Sequence, residues 1–312
     1  MKPNGKIAAV IVLTCAVVGC NKRDSQKANA AEQAQPKTAD TWSPGPKAID
    51  GEGFTGTPTP RVTGPVAFAD AEAAYQSKNY GEATKLFEKY VERRPDNPWG
   101  HYMLGLSAWK SGDLVKSEES FETALRIDAK HMKSLVNLSR VLIEQKRYDD
   151  AIGKLTTAGE VDPESATVPR LMARAHSAKG EFEPAVDAYR RAIALDGSDA
   201  WSMNNLGLLY LEHGFVEDAL AYLAKAVQMN ENVAAFHNNL GMALEHQGRF
   251  VAAATAYKGA LTADPGYKKA KQNLVRVEAV KAGPEEPFDL AAVARGTDED
   301  RKVGSDDTRA SK

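Results

Sequence analysis

Small and large apolar residues recur at a fixed interval of 34 positions between Gly64 and Tyr267. In each unit of this period, a small residue is followed four positions later by a large apolar residue. The small residues are Ala83, Ser117, Ala151, Ala185, Ala219 and Ala253. The large residues are Phe87, Phe121, Leu155, Tyr189, Leu223 and Tyr257. Because residues four apart lie on one face of an α-helix, the pattern predicts six consecutive helical units.

Each unit is predicted to fold as two antiparallel helices. A Leu-Gly pair such as Leu104-Gly105 marks the first helix, and its glycine is expected to face the small residue of the second helix. The large residue is expected to fill the space between one unit and the next. Glycine in the turn between the helices, as at Gly112 and Gly180, suits a left-handed helix end. Since one unit cannot bury its own apolar face, the units must stack into a rod.

This pattern resembles the tetratricopeptide repeat family, whose W-x2-L-G-x2-Y…A-x3-F…P motif and 34-residue period it matches. The resemblance covers 204 of the 312 residues and implies an all-α, right-handed solenoid of six helix pairs. The predicted repeats span residues 64–97, 98–131, 132–165, 166–199, 200–233 and 234–267. Residues 268–282 are predicted to complete the repeat domain 64–282 as a capping helix that turns Ala270, Leu274 and Val277 inward.

The N-terminal residues have the pattern of a bacterial export signal. Two lysines precede an apolar run over residues 7–18, which is too short for a membrane span but suits a secretory signal. The run ends in Val-Val-Gly-Cys20, which resembles the lipobox of bacterial lipoproteins. The resemblance implies that residues 1–19 are removed as a signal peptide and that Cys20 carries fatty acyl chains such as palmitate. The alternative is an ordinary signal peptide that ends near a cysteine.

Two further segments flank the repeats. The residue after Cys20 is Asn21 rather than Asp, which under enteric-type sorting favours the outer membrane of a bacterial cell envelope, facing the periplasm. Residues 20–63 have few bulky apolar side chains and several prolines, so they are predicted to form a lipidated N-terminus and flexible linker. Residues 283–312 are predicted to form an acidic, disordered tail. Alternatively, residues 288–293 form a short docking segment.

The residue types that catalysis and metal binding require do not occur in suitable arrangements. None of the six histidines stands in an H-E-x-x-H pair, and no G-x-S-x-G motif or glycine-rich phosphate loop is present. The sequence therefore predicts a protein that is not an enzyme and has no metal or cofactor. The formal net charge of −2, with no basic stripe that contains interleaved aromatic residues, argues against a nucleic-acid partner.

The resemblance implies that the first helix of each repeat lines a concave groove that binds a protein or peptide segment. In the first two repeats the groove positions are mostly aromatic and apolar, which are side chains enriched in binding hot spots. We predict partner contacts from Phe68, Tyr75, Trp99, Tyr102, Leu106 and Trp109. The alternative is that several of these residues pack against a neighbouring repeat or against the linker.

In the later repeats the same positions become polar. Arg170 and Arg174 share a helix face, and Arg140 lies 34 residues before Arg174, so the three guanidinium groups are predicted to form one patch that can hold a carboxylate. This patch is similar to the carboxylate clamps of some family members, although no lysine takes part. Trp201 is expected to add an exposed aromatic residue. Solvated charge is the alternative for the arginines.

One position of the groove is repeatedly asparagine. Asn137, Asn205 and Asn239 share this position, which is similar to the asparagine row by which some family members hold the backbone of an extended peptide. Plain helix packing is the alternative for this row.

Together these features predict a membrane-tethered scaffold without catalytic activity. One function class is assembly, because the chain resembles pilotin lipoproteins of the type IV pilus, which carry six such repeats and assist a secretin ring. A second is regulation, because it also resembles lipoproteins that recruit peptidoglycan hydrolases or proteases. A third is a passive structural protein whose groove is filled by its own acidic tail. A homodimer formed through the ends of the solenoid is compatible with each class.

Overall fold

The computed structural model of the chain describes residues 67–280 and 283–297. Every regular element in these two ranges is a helix. The helices are α1 Phe68–Gln76, α2 Tyr80–Arg93, α3 Pro98–Ser111, α4 Leu114–Ile127, α5 Met132–Glu144, α6 Tyr148–Val161, α7 Thr167–Lys179, α8 Phe182–Leu195, α9 Ala200–Glu212, α10 Val216–Met229, α11 Ala234–His246, α12 Phe250–Ala263, α13 Lys268–Glu278 and α14 Leu290–Ala294. The predicted signal peptide over residues 1–19 and the predicted linker over 20–63 lie outside the described residues. No helix among those described is both long and apolar enough to cross a membrane.

The helices from α1 to α12 form six pairs that follow the predicted repeats. Within each pair the two helices pack against each other, and each pair contacts the next along the chain. The predicted all-α solenoid is therefore confirmed. We call the surface built from α1, α3, α5, α7, α9 and α11 the first-helix face, and the opposite surface, built from the second helices, the second-helix face.

The turn between the two helices of a repeat is left-handed at the same position in all six repeats. Gly112, Gly180, Gly214 and Gly248 have φ angles between 78° and 91° there. The equivalent residues of repeats one and three are Lys78 and Lys146, with φ angles of 61° and 63°. Since a Cβ atom is unfavourable in this conformation, four of the six turns use the residue that tolerates it best.

The glycine of the first helix makes room for the large residue of the second helix in the same repeat. A Cβ atom on Gly241 would lie 2.5 Å from Cε1 of Tyr257, and one on Gly105 would lie 2.8 Å from Cδ1 of Phe121. The glycine thus faces the large residue in addition to the expected small residue, because a Cβ atom on Gly207 would also lie 3.1 Å from the carbonyl oxygen of Ala219. Both partner positions lie on the same face of the second helix, so their spacing in the sequence does not separate them.

Two clusters of buried residues form the interior of the stack. One extends from Ala71 in repeat one to Ala175 in repeat four. The other extends from Ala173 to the C-terminal residues and contains fully buried Leu223 and Tyr257. The predicted small and large positions supply much of both clusters, because each pair of helices crosses at these residues.

The C-terminal residues both cap and cover the last repeat. In α13, Ala270 and Val277 are buried and Leu274 is partly buried, as the periodicity predicts. Residues 283–297, which we call the C-terminal strap, are ordered and carry the short helix α14. The prediction of a disordered tail is therefore wrong for these residues, because Phe288, Leu290 and Val293 bury apolar surface against the repeats. Residues 298–312 of the predicted tail lie outside the described residues.

Candidate functional site

Three arginines come together on the first-helix face of repeats three and four. Arg140 lies on α5, while Arg170 and Arg174 lie one turn apart on α7. Burial lowers the pKa of Arg140, and repulsion from Arg170 and then Arg174 lowers it further. The pKa of Arg174 is also lowered, chiefly by burial. The predicted cluster is thus present, and we call these three residues the arginine patch.

Carboxylate and amide oxygens contact two arginines of the patch. Arg170 Nη1 lies 3.1 Å from Oδ2 of Asp199, whose side chain is 2% exposed. Asp199 also caps α9, because its Oδ1 accepts a 3.1 Å hydrogen bond from the Ser202 amide. Arg140 Nη1 donates to the neutral side chain of Asn137 at 3.2 Å. The planar guanidinium group of an arginine can hold a carboxylate or phosphate by two parallel hydrogen bonds.

Trp109 and Glu144 connect the patch with the aromatic residues of the second repeat. The indole Nε1 of Trp109 donates to Oε2 of Glu144 at 2.9 Å, and the charge of Glu144 favours the protonated form of Arg174. Trp109 and Leu106 are half-buried, so part of each side chain faces solvent. The Trp109 indole, the Glu144 carboxylate and the Arg174 guanidinium therefore lie close together near the end of α5.

Trp99 is the most exposed of the predicted aromatic contacts. Its side chain is 37% exposed, and the ammonium group of Lys133 lies 4.7 Å from the centre of its ring. Tyr102, 5.0 Å away between ring centres, is only 7% exposed. The prediction that Tyr102 lies on an open face is therefore wrong, because its ring packs between Trp99 and Phe121.

The aromatic residues of the first repeat mainly pack within that repeat. Phe68 lies 5.4 Å, centre to centre, from the rings of both Phe87 and Tyr90. Tyr75 lies 5.3 Å from Tyr80. Both Phe68 and Tyr75 are half-buried, so the packing alternative accounts for part of each side chain, and a partner can reach only the remainder.

The predicted asparagine row is largely used by the scaffold itself. Asn137 is 8% exposed and Asn239 is 4% exposed. Asn137 Nδ2 donates to the Tyr102 hydroxyl at 3.4 Å, and Asn239 Nδ2 donates to Asn204 Oδ1 at 2.9 Å. Expecting these two residues to hold a peptide backbone is therefore wrong. Asn205 is half-buried and hydrogen-bonds to Tyr189.

Three further asparagines complete this network. Asn204 Nδ2 donates to Asn205 Oδ1 at 3.1 Å, Asn238 Nδ2 donates to Asn239 Oδ1 at 3.3 Å, and Asn273 Nδ2 donates to Asn238 Oδ1 at 3.0 Å. We call these five residues the amide row. The same 34-residue spacing relates Asn204 to Asn238 and Asn239 to Asn273, so the periodicity could have identified them.

Trp201 also differs from its prediction as an exposed aromatic residue. It is half-buried, and its ring packs edge-on against Phe236 with 4.9 Å between ring centres. This contact lies between repeats five and six, which explains why the side chain is largely covered. Over the residues that the structure describes, no three His, Cys, Asp or Glu side chains converge as metal ligands would.

Three family models match the chain in overlapping segments. Two models described as tetratricopeptide repeats match residues 108–175 and 204–268, and a model described as a TPR repeat matches residues 173–214. Together they cover residues 108–268, which is about half of the chain. The matched segments agree with the helix pairs from repeat two to repeat six.

Curated relatives share part of this region. The chain is 26% identical over 155 residues to the human Cell division cycle protein 16 homolog, a match that covers 47% of this chain and 25% of that protein. It is 28% identical over 101 residues to Hsp70-Hsp90 organizing protein 1 of Arabidopsis thaliana, which covers 29% of this chain and 18% of that protein. The chain thus spans about a quarter or less of the length of these relatives.

Solved structures share the fold. The structure of Pseudomonas aeruginosa pilF superposes with a TM-score of 0.56 at 18% identity and covers 66% of this chain and 94% of that chain. At that identity the likeness concerns the fold alone. The 34-residue period, the stacked helix pairs and the three family models together show that this chain belongs to the tetratricopeptide repeat family.

Proposed function

We propose that the protein is a scaffold that binds an acidic protein segment along its first-helix face, with a carboxylate of the partner at the arginine patch. The observation that carries this proposal is the meeting of Arg140, Arg170 and Arg174 on one surface. Proteins of this family present their first helices in a groove, so the patch lies where an extended segment would run. Scaffold function without catalysis accords with the absence of catalytic motifs from the sequence.

The charge balance of the patch supports an anionic partner. Mutual repulsion and burial both lower the pKa values of Arg140 and Arg174, although guanidinium groups remain charged at any physiological pH. The repulsion is therefore reduced by nearby anions and not by loss of a proton. Asp199 lies beside Arg170 and Glu144 acts on Arg174, and a carboxylate from the partner would add a further negative charge.

Trp99, Leu106 and Trp109 provide the apolar part of the same surface. All three retain exposed area beside the patch on α3, and tryptophan is enriched among the residues that contribute most to binding. A partner segment with an apolar residue near its acidic group would contact both regions. We infer that the acidic group sets the position of the partner and that the indoles add affinity.

The N-terminal lipid anchor is a separate part of the proposal. The lipobox ending in Cys20 supports acylation of this cysteine, and Asn21 supports the periplasmic side of the outer membrane. A tethered scaffold raises the effective concentration of its partner at the membrane without any new contact. Two roles suit such a protein: assembly of a secretin ring, as a pilotin does, or recruitment of a peptidoglycan hydrolase or protease.

Calorimetric titration of the full chain with a glutamate-rich peptide tests the groove. We expect Arg174→Glu to weaken binding at least about tenfold, equivalent to about 1.4 kcal/mol, and amidation of the peptide's terminal carboxylate to weaken it less. Arg191→Glu is the matched control, because Arg191 is exposed on the second helix of repeat four. Equal affinity of the Arg174→Glu and Arg191→Glu variants would exclude the patch as the site.

Cell fractionation and mass spectrometry test the anchor. The full chain expressed in a Gram-negative host should sediment with outer membranes and carry acyl chains on Cys20, whereas Cys20→Ser should be soluble in the periplasm. If the wild-type chain is secreted without acyl chains, the lipid anchor is wrong and the proposal for the groove is unaffected. Co-purification from these membranes would then separate the pilus and wall-enzyme roles.

A further inference from the structure

The C-terminal strap lies on the second-helix face, far along the chain from the arginine patch. Helix α14 packs against α10, and the residues before it cross the outer side of α12. Ala294 is fully buried, and Phe288, Leu290 and Val293 are partly buried against this surface. The strap thus occupies a groove between the second helices of repeats five and six, which we call the outer groove.

Polar contacts fix the start of the strap to α12. The Glu285 carboxylate accepts hydrogen bonds from the amides of Val251 at 2.8 Å and Ala252 at 3.4 Å. Arg249 Nη2 donates to the Glu286 carbonyl at 2.6 Å, and its guanidinium lies 5.2 Å from the centre of the Phe288 ring. An acidic residue and an aromatic residue three positions later are therefore recognised by three different groups.

The outer side of α12 is apolar at positions where repeats three, four and five carry acidic residues. Val251 stands where repeats three, four and five have the exposed acidic residues Asp149, Glu183 and Glu217. Ala252 stands where repeat five has Asp218. Val251 remains 55% exposed with the strap in place, so the strap contacts this end of α12 chiefly through the backbone amides of Val251 and Ala252.

The strap covers the outer groove only in part. A pocket of about 460 Å³ remains between the strap and the groove, and its walls are largely apolar. They include Val227, Leu240, Leu244, Ala256, Phe288 and Leu290. The pocket is partly open to solvent, and a volume of this size falls in the range of ligand pockets. Phe288 forms part of its wall, so apolar space lies beside the phenyl ring.

We propose that the outer groove is a second peptide-binding site, and that the strap is a built-in competitor occupying it in the absence of a partner. The partner is a protein segment with an acidic residue three positions before a large aromatic side chain, bulkier than phenylalanine. Its acidic group takes the place of Glu285 on the Val251 and Ala252 amides. Its aromatic group lies under Arg249 and enters the pocket. This site is independent of the arginine patch.

Binding of a labelled synthetic peptide to the full chain tests the proposal. The probe is residues 283–297 of this sequence, with a second version that carries Phe288→Trp. The full chain is compared with an Ala294→Asp variant, in which the buried position at the end of α14 can no longer dock. Fluorescence anisotropy should show at least about tenfold tighter binding to the variant, because the native strap competes at high effective concentration.

The peptide variants distinguish a specific binding site from nonspecific apolar contact. The Phe288→Trp peptide should bind at least about threefold more tightly than the native peptide, because it fills apolar space, and Glu285→Gln in the peptide should weaken binding. Val251→Glu in the chain should abolish binding, whereas Val115→Glu, its counterpart in repeat two, should not. Circular dichroism shows whether each variant is folded.

Three results would overturn the proposal. The first is no binding of either peptide to the folded Ala294→Asp chain. The second is a Phe288→Trp peptide that binds no better than the native one, which would mean that the pocket does not accept a larger group. The third is a dimer of the native chain, detected by light scattering, that Ala294→Asp abolishes. The occupant would then be the strap of a second copy.

Discussion

The amide row and the arginine patch occupy the same face of the stack but differ in what they leave available. In repeats five and six the asparagines donate to one another, within a helix from Asn204 to Asn205 and between repeats from Asn239 to Asn204. In repeats three and four, Arg140 and Arg174 face one another as like charges. Groove position alone therefore does not determine availability. A row of groups that can both donate and accept can hydrogen-bond to itself, whereas guanidinium groups only donate and need acceptors of another kind, such as Asp199 beside Arg170.

The largest effect should come from breaking the amide row. Asn239→Leu keeps the size of the side chain but leaves the buried carbonyl of Asn204 without its donor. We expect the free energy of unfolding to fall by about 1–3 kcal/mol, which is the usual effect of an unsatisfied buried polar group. Urea denaturation monitored by circular dichroism measures this change. Asn232→Leu, at an exposed turn position, is the control and should change stability little.

A substitution in the arginine patch should weaken binding without lowering the free energy of unfolding. Arg140→Gln removes one of three repelling charges, so the unfolding free energy should stay the same or rise by up to about 0.5 kcal/mol, as for surface substitutions. Binding of an acidic peptide should nevertheless weaken by about 1 kcal/mol or more, the scale of one charged hydrogen bond. A variant that is both less stable and unchanged in binding would mean that Arg140 is a structural residue.

Glu245 and Arg276 lie beside Asn273 at the end of the amide row. Their contribution to the free energy of unfolding should depend on pH, whereas that of the arginine patch should not. Burial would raise the pKa of Glu245, but hydrogen bonds from Arg276 and Tyr257 outweigh it, so the pKa lies below its usual value. A lowered carboxyl pKa contributes stability that is present above the unfolded value of about 4.3 and is lost as the pH falls through the folded value.

Arg276→Gln tests this dependence. Because the Arg276 side chain is 55% exposed, we expect the variant to lose only about 0.5–1 kcal/mol at pH 7. The difference from the wild type should shrink below pH 4 in urea titrations. Lys258→Gln removes the more exposed ion pair with Glu278 and should change stability less. A difference that persists unchanged at pH 3 would contradict the role of Glu245.

The smallest effect concerns the turns. Repeats five and six have Gly214 and Gly248 at the left-handed position, whereas repeat three, which carries Arg140, has Lys146 with a φ of 63°. Lys146→Gly should relieve this conformation but add entropy to the unfolded chain, so we expect a gain of at most about 1 kcal/mol. The midpoint of thermal unfolding measures it. A clear loss of stability would mean that the lysine side chain makes a contact that outweighs the strain.

The fold could be predicted from the sequence because its packing is local and repeated. Positions such as Ala83 and Phe87 recur at one interval, so one unit describes all six. The arginine patch could be predicted for the same reason, since Arg140 and Arg174 differ by one repeat length. Which residue Gly105 contacts could not be predicted, because Phe121 and Ser117 lie on one helical face and only the rotation of the helix separates them.

Which groove residues remain exposed to a partner could not be predicted from the sequence. Tyr102 and Trp99 both occupy groove positions, yet Tyr102 is buried and Trp99 is exposed. The Tyr102 ring packs against Phe121 and its hydroxyl accepts a hydrogen bond from Asn137. The strap was anticipated only as the alternative of a docking segment over residues 288–293. Acidic composition favours a solvated tail, and the apolar residues Phe288 and Leu290 become decisive only beside the apolar outer face of α12. Comparing Val251 with Glu217 across repeats would have indicated that face.

The packing of α13 and the C-terminal strap against the last repeats has a mechanical consequence. Because a repeat contacts only its neighbours, tension applied at the N-terminal side would release repeat one before repeat six, which α13 and the C-terminal strap hold from the other side. Each unfolded repeat would add 34 residues, or about 110–120 Å of extended chain. An anchored molecule of this design would lengthen in steps under load while its last repeats kept their shape.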